Sequence, residues 1–143
     1  MKFFKTAETL SKNSKTLKGK YYTDKKIFEK EMLTIFFNQW LCVGRTSDIV
    51  NVGQFITCNI FDESVIIVRN NKNNLLAHYN VCRHRGTRIC NELRGKFSNS
   101  IQCNYHGWTY SLSGDLIAAP TMNKIESFDK NNLGLKRIQV QEW

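Results

Sequence analysis

Apolar residues in this chain fall in short β-like runs punctuated by turns more often than they recur at helical spacing. Residues 54–61 and 64–69 are two such runs, broken at Asp62-Glu63, and the pattern predicts a β-hairpin. A further strand is predicted over 75–81, after the polar turn Asn70-Asn71-Lys72-Asn73-Asn74. Residues 108–112 and 115–118 flank Ser113-Gly114, a second hairpin signal, and 136–141 alternate around Ile138 and Val140 as a last strand. One stretch differs. Phe28, Met32, Ile35 and Phe36 follow the i, i+4, i+7, i+8 spacing of an amphipathic helix. Asp24 is placed to cap it, since its short side chain can accept from the free N–H groups of a first turn. The pattern predicts a loosely ordered lead over 1–20, a helix to about Asn38, and a small antiparallel all-β domain over 39–143.

Composition narrows the class. A chain of 143 residues is one domain's worth, long enough to bury a core. No run approaches the roughly 20 apolar residues of a membrane-spanning helix, and the Lys-rich start has no apolar core like that of a signal peptide. A cytoplasmic location without membrane contact is the expectation. The net charge is +9, and nine of the fourteen Lys fall within residues 1–30. A solvated surface accounts for them, and the functional alternative is a docking surface for an acidic electron donor. Nucleic acid is not expected as a partner, because the basic residues sit in a tail and not along a face interleaved with aromatics.

Chemistry concentrates in two segments, Cys82-Arg83-His84-Arg85-Gly86 and Cys103-Asn104-Tyr105-His106-Gly107-Trp108. Each delivers one thiol and one imidazole from a tight turn. Two Cys and two His in this order form the ligand set of a Rieske [2Fe–2S] cluster, in which two Cys hold one iron and two His the other. A structural Cys₂His₂ zinc site is the rival, although zinc fingers usually place a Cys pair first and a His pair later. Gly86 and Gly107 fit turns that need positive φ and that aim backbone N–H groups at sulfur. Tyr105 and Trp108 are expected as an aromatic wall beside the site, with Arg83 and Arg85 flanking His84. Cys42, Cys58 and Cys90 lack paired spacing and are expected as buried free thiols. His78 lies within a predicted strand and is read as a structural or surface residue.

From residue 20 onward the chain resembles the N-terminal Rieske domain of the α subunit of Rieske non-haem iron oxygenases. The resemblance rests on Tyr21-Tyr22-Thr23-Asp24, the stretch 36–45 with Trp40 and Gly44-Arg45, and Asn80-Val81 leading into the first motif. It continues through Tyr105-His106-Gly107-Trp108-Thr109-Tyr110, Ser113-Gly114 and Ala118-Ala119-Pro120. It implies a Rieske-type β-sandwich with its cluster loops at one end and a [2Fe–2S] cluster held by Cys82, His84, Cys103 and His106. It implies one-electron transfer to a mononuclear Fe(II) that oxidises a small organic substrate with O₂. Such an iron sits in a catalytic domain this chain does not supply, because only His78 remains for a site that takes two His and a carboxylate. The implied partners are a ferredoxin or flavin-reductase donor, the catalytic domain of the same or a neighbouring subunit, and a homotrimer at full length. Respiratory Rieske proteins add a loop disulfide and a Ser after the second His-Gly. The absence of both implies a potential near the low end of the Rieske range, about −150 mV. A stand-alone Rieske ferredoxin is the alternative reading, and a zinc-stabilised interaction module a third.

Overall fold

The computed structural model describes residues 12–143. It divides into two compact units, one ending at Leu41 and the other running over Cys42–Trp143. Residues 1–11 of the expected lead segment lie outside the described residues, and residues 12–19 form turns and exposed extended chain.

In the first unit a short helix α1 (Lys20–Thr23) precedes α2 (Lys25–Glu31). Asp24 caps α2 as its sequence position predicts, accepting from the Lys26 N–H at 2.8 Å. The single helix expected to Asn38 does not continue. The winding changes at a π turn over Met32–Phe36, where Phe37 N–H reaches back to the Met32 carbonyl. That i→i+5 turn breaks the 3.6-residue register, so Met32 is buried while Phe28, Ile35 and Phe36 are exposed.

The second unit is antiparallel β. The strands are β1 (Gln54–Ile60), β2 (Glu63–Arg69), β3 (Leu75–Tyr79), β4 (Arg94–Lys96), β5 (Ser100–Gln102), β6 (Thr109–Ser111), β7 (Leu116–Ala118) and β8 (Arg137–Ile138). Five of them form one sheet in the order β4-β1-β2-β3-β8, and three form a second in the order β5-β6-β7. The predicted hairpin is there, displaced by one residue. Ile60 pairs with Glu63, so the connection is Phe61-Asp62, with Phe61 at φ 56°. Tight two-residue connections favour positive φ because it matches the twist of the flanking strands.

Strand β2 is the centre of the packing. Successive side chains point to opposite faces, so Ile66 and Val68 join one core while Val65 and Ile67 join another. The first core contains Cys82, Cys103, Trp108 and Tyr110 and underlies both motif loops. Strands β4 and β5 had no counterpart among the predicted elements. All three residues of β4 are exposed, and β5 buries only Ile101 completely.

His78 on β3 is fully buried, with its ring against the Ser113-Gly114 turn. Burial pushes its pKa below the ordinary imidazole value and the nearby Arg137 cation adds to this, against weaker upward pulls from the Leu112 carbonyl and Asp115. A depressed folded-state pKa means that the unfolded chain takes up the proton first as pH falls. The stability present above about pH 6.5 is therefore lost below it. Thermal melts at pH 7.5 and 5.5 should show a larger acid-induced drop in Tm for the natural chain than for His78→Gln. Equal drops would mean that His78 carries no acid sensitivity.

Among the described residues no helix is long and apolar enough to cross a membrane. None of the five cysteines is in a disulfide. Cys90 is buried, Cys58 is half-buried, and Cys42 is exposed, contrary to the buried position expected for it.

Candidate metal centre

The two motif loops close by the same backbone scheme. In the first, the Cys82 N–H donates to the Thr87 carbonyl (2.8 Å) and the Gly86 N–H to the Cys82 carbonyl (3.0 Å). In the second, Cys103 N–H donates to the Trp108 carbonyl (2.8 Å) and Gly107 N–H to the Cys103 carbonyl (3.0 Å). Gly86 and Gly107 both sit at φ 71°. That conformation strains any residue with a Cβ, which accounts for glycine four positions after each cysteine.

These turns bring the predicted residues together. Cys82 and Cys103 are buried at the loop bases, at 3% and 2% exposure. The His84 and His106 rings lie 4.7 Å apart, centroid to centroid, at 72°. His84 is half-buried and His106 exposed, so sulfur lies inward and imidazole outward. Trp108 is stacked flat on His84 at 4.8 Å and 8°, and Phe128 meets Trp108 edge-on at 5.7 Å. Tyr105 is exposed and tilts over His106 at 3.7 Å. Arg85 is exposed beside His84, and Arg83 is half-buried.

Electrostatics at the sulfurs come from close neighbours. Burial pushes the Cys82 thiol up, and the adjacent Cys103 thiol adds to this. The Tyr110 hydroxyl and the His84 backbone amide pull it down by hydrogen bonding to the sulfur. Tyr110 lies on β6 with its hydroxyl 3.2 Å from the Cys82 sulfur. The same hydroxyl accepts from the Arg83 N–H at 3.0 Å, and toward a Cys82 thiolate, which has no proton to give, the hydroxyl is the donor. The sequence pointed to a site with no hydroxyl donor to sulfur, and Tyr110 corrects that expectation. It was missed because it is 28 residues from Cys82 and joins it only through the packing of the two sheets. Burial also holds the His84 imidazole below its usual pKa, with help from His106 and Arg85, which favours the neutral, metal-binding form.

The residues present fit a two-iron cluster. The Nδ1 atom of His84 is buried and makes no hydrogen bond to any other group, as a nitrogen reserved for a metal would be. Among the described residues no three of His, Cys, Asp and Glu converge on a single ion.

The hydroxyl gives a prediction. An O–H donor stabilises the sulfur more in the reduced, electron-rich state, so Tyr110→Phe should lower the midpoint potential. A hydrogen bond worth about 1 kcal/mol corresponds to about 40 mV for one electron. Redox titration of the two proteins side by side measures it, and identical midpoints would rule the bond out as a determinant.

Comparison with known proteins agrees with this geometry. The chain is 37% identical over 123 residues to the carnitine monooxygenase oxygenase subunit of Acinetobacter baumannii, covering 86% of this chain and 33% of that protein. It is 41% identical over 120 residues to the glycine betaine monooxygenase oxygenase subunit of Chromohalobacter salexigens, covering 84% and 26%. The fold superposes on the quaternary ammonium Rieske monooxygenase CntA in complex with L-carnitine with a TM-score of 0.82 and 37% identity, over 87% of this chain and 35% of that one. The chain therefore spans about a third or less of the length of the relatives it matches. The Rieske [2Fe–2S] domain pattern matches residues 39–129 and so takes in both loops and every strand except β8. On that match, and on its homology with Rieske oxygenase subunits, the chain belongs to the Rieske [2Fe–2S] domain family.

Proposed function

We propose that this chain is the electron-entry domain of a Rieske oxygenase subunit acting on a quaternary ammonium substrate. Cys82 and Cys103 would hold one iron as thiolates, and His84 and His106 would hold the other as neutral imidazoles. Residues 39–143 would form the cluster domain and residues 1–38 a lead segment. Once bound, the cluster supplies one-electron chemistry at a potential set by its surroundings.

The chain's own residues set those surroundings. Tyr110 donates to the Cys82 sulfur while the Arg83 N–H fixes the hydroxyl's orientation. Trp108 covers His84 and keeps water from its face. His106 and Tyr105 are exposed and give the site its route to a partner.

The observation that carries this reading is the pair of matching loops, sulfurs inward and imidazoles outward, in a chain homologous to oxygenase subunits. Similarity to those subunits extends over 123 residues, beyond the loops themselves, which favours an oxygenase over a stand-alone ferredoxin. A solved quaternary ammonium Rieske monooxygenase with 37% identity is described as using inter-subunit electron transfer. By extension the acceptor here would be a mononuclear iron in a neighbouring subunit of a homotrimer, and the donor a ferredoxin or flavin reductase.

The test is twofold. The purified chain should contain two irons and two acid-labile sulfides and give a Rieske EPR signal on reduction; zinc in their place would overturn the reading. The full-length protein, supplied with a reductase, should consume O₂ faster with carnitine or glycine betaine than with biphenyl. The reverse preference would overturn the substrate class alone.

A further inference from the structure

Although the two loops close alike, they are supported differently. The second projects from a regular ladder, in which Gln102 on β5 pairs with Thr109 on β6 at the loop's base. The first leaves β3 at Tyr79, and its returning segment, residues 87–92, forms no strand; the two sides meet at one isolated bridge, Val81 to Arg88, made by backbone bonds from Cys82 N–H to the Thr87 carbonyl (2.8 Å) and from Ile89 N–H to the Asn80 carbonyl (3.4 Å).

One carboxamide reinforces this short pairing. Asn80 is 1% exposed and lies two residues before Cys82. Its Oδ1 accepts from the Ile89 N–H (3.1 Å) and the Cys90 N–H (2.9 Å). Its Nδ2 donates to the Cys90 carbonyl (2.6 Å) and the Ser64 hydroxyl on β2 (3.1 Å). The Asn80 N–H also donates to the Ser64 carbonyl at 2.8 Å. Both acceptor sites and both donors of the amide are in use, which only a carboxamide of this length provides. Asn80 thereby ties the outgoing side of the first loop, its returning side and the central strand together at one point.

We propose that Asn80 is a positioning residue for the metal centre, fixing Cys82 and His84 against Cys103 and His106. It is needed because the first loop has no strand pair of its own. The proposal rests on the reading of Cys82 and His84 as cluster ligands. A residue that served only the general stability of the fold would lack this effect on the cluster.

The experiment compares the cluster-loaded chain with Asn80→Ala, Asn80→Asp and Ile67→Ala. The last removes packing on the far side of β2, in the core that excludes both loops. Two properties are read well below each protein's melting temperature: the rate at which visible absorbance bleaches in chelator, and the line shape of the reduced EPR signal. Asn80→Ala should bleach about tenfold faster than the Ile67→Ala protein, because it takes away the side-chain partner of the buried Cys90 N–H and of the Cys90 carbonyl beside the loop. Its EPR lines should broaden as the ligand geometry spreads. Asn80→Asp keeps the acceptor for Ile89 and Cys90 and should fall between Asn80→Ala and the natural chain. If Asn80→Ala matches Ile67→Ala in both properties, the proposal is overturned. Should Asn80→Ala not fold, Asn80→Asp decides it against the same control. Failure of the ligand reading would look different and would remove the proposal with it: the natural chain would carry no [2Fe–2S] signal, or Cys82→Ala would retain one.

Discussion

Cys103→Ala will yield protein without the visible bands, iron or acid-labile sulfide of the natural chain, and that loss will be complete. The sulfur of Cys103 is buried in the same core as Cys82, Trp108 and Tyr110. Binding energy at a site of this kind comes from donors that are fixed before the metal arrives, and an iron holding one thiolate instead of two has lost half of its protein ligands. The informative control is Cys90→Ala. Cys90 is equally buried, but its thiol donates to the Glu92 carboxylate at 3.1 Å, and its pKa is pushed to about 11, first by burial and then by Glu92. It is held as a neutral thiol, so its removal should leave iron and sulfide content unchanged. Iron loss in both variants would point to a general folding defect in place of ligation.

The second large effect is on folding. Gly114→Ala should destabilise the domain by about 3 kcal/mol and lower Tm by about 10 °C. Gly114 turns the chain between β6 and β7 at φ 91°. A Cβ there would lie 2.6 Å from Cε1 and 2.9 Å from Nδ1 of His78. Positive φ alone costs an L-residue about 1–2 kcal/mol, and the His78 ring, fully buried, has nowhere to retreat. Repeating the change in a His78→Ala background separates the two contributions. The clash vanishes there while the backbone cost remains, so Gly114→Ala should cost about 1.5 kcal/mol in that background. An undiminished cost would mean that the ring is not what the methyl meets.

The sequence was most legible where an element buries its side chains in a core. The apolar run Val65–Val68 marked β2 because Ile66 and Val68 serve one core and Val65 and Ile67 the other. The Cys, His and Gly residues of the two loops were legible because metal ligation and positive φ restrict residue type locally. Strand β4 was not, since Arg94–Lys96 pairs with β1 through backbone alone and buries no side chain. The strand predicted over 136–141 shrinks to Arg137–Ile138, where pairing with β3 ends. The helix expected to Asn38 was misread because hydrophobic spacing cannot register a π turn before it happens. Tyr110 and Asn80 sat within recognisable motifs, yet their roles depend on partners in separate segments that only the folded sheets bring near.

The sheet order has a consequence for self-association. A strand at the rim of a sheet offers unpaired N–H and C=O groups to any extended chain that drifts past, and natural proteins guard against this with brevity and charge. Here the five-stranded sheet ends in β4, three residues long with Arg94 and Lys96, and in β8, two residues long with Arg137. A second molecule trying to extend the sheet would find only a few bonds to make and would bring its own cations against these. The brevity that hid β4 from the hydrophobic pattern, and that cut β8 to two residues, is what keeps the sheet from growing.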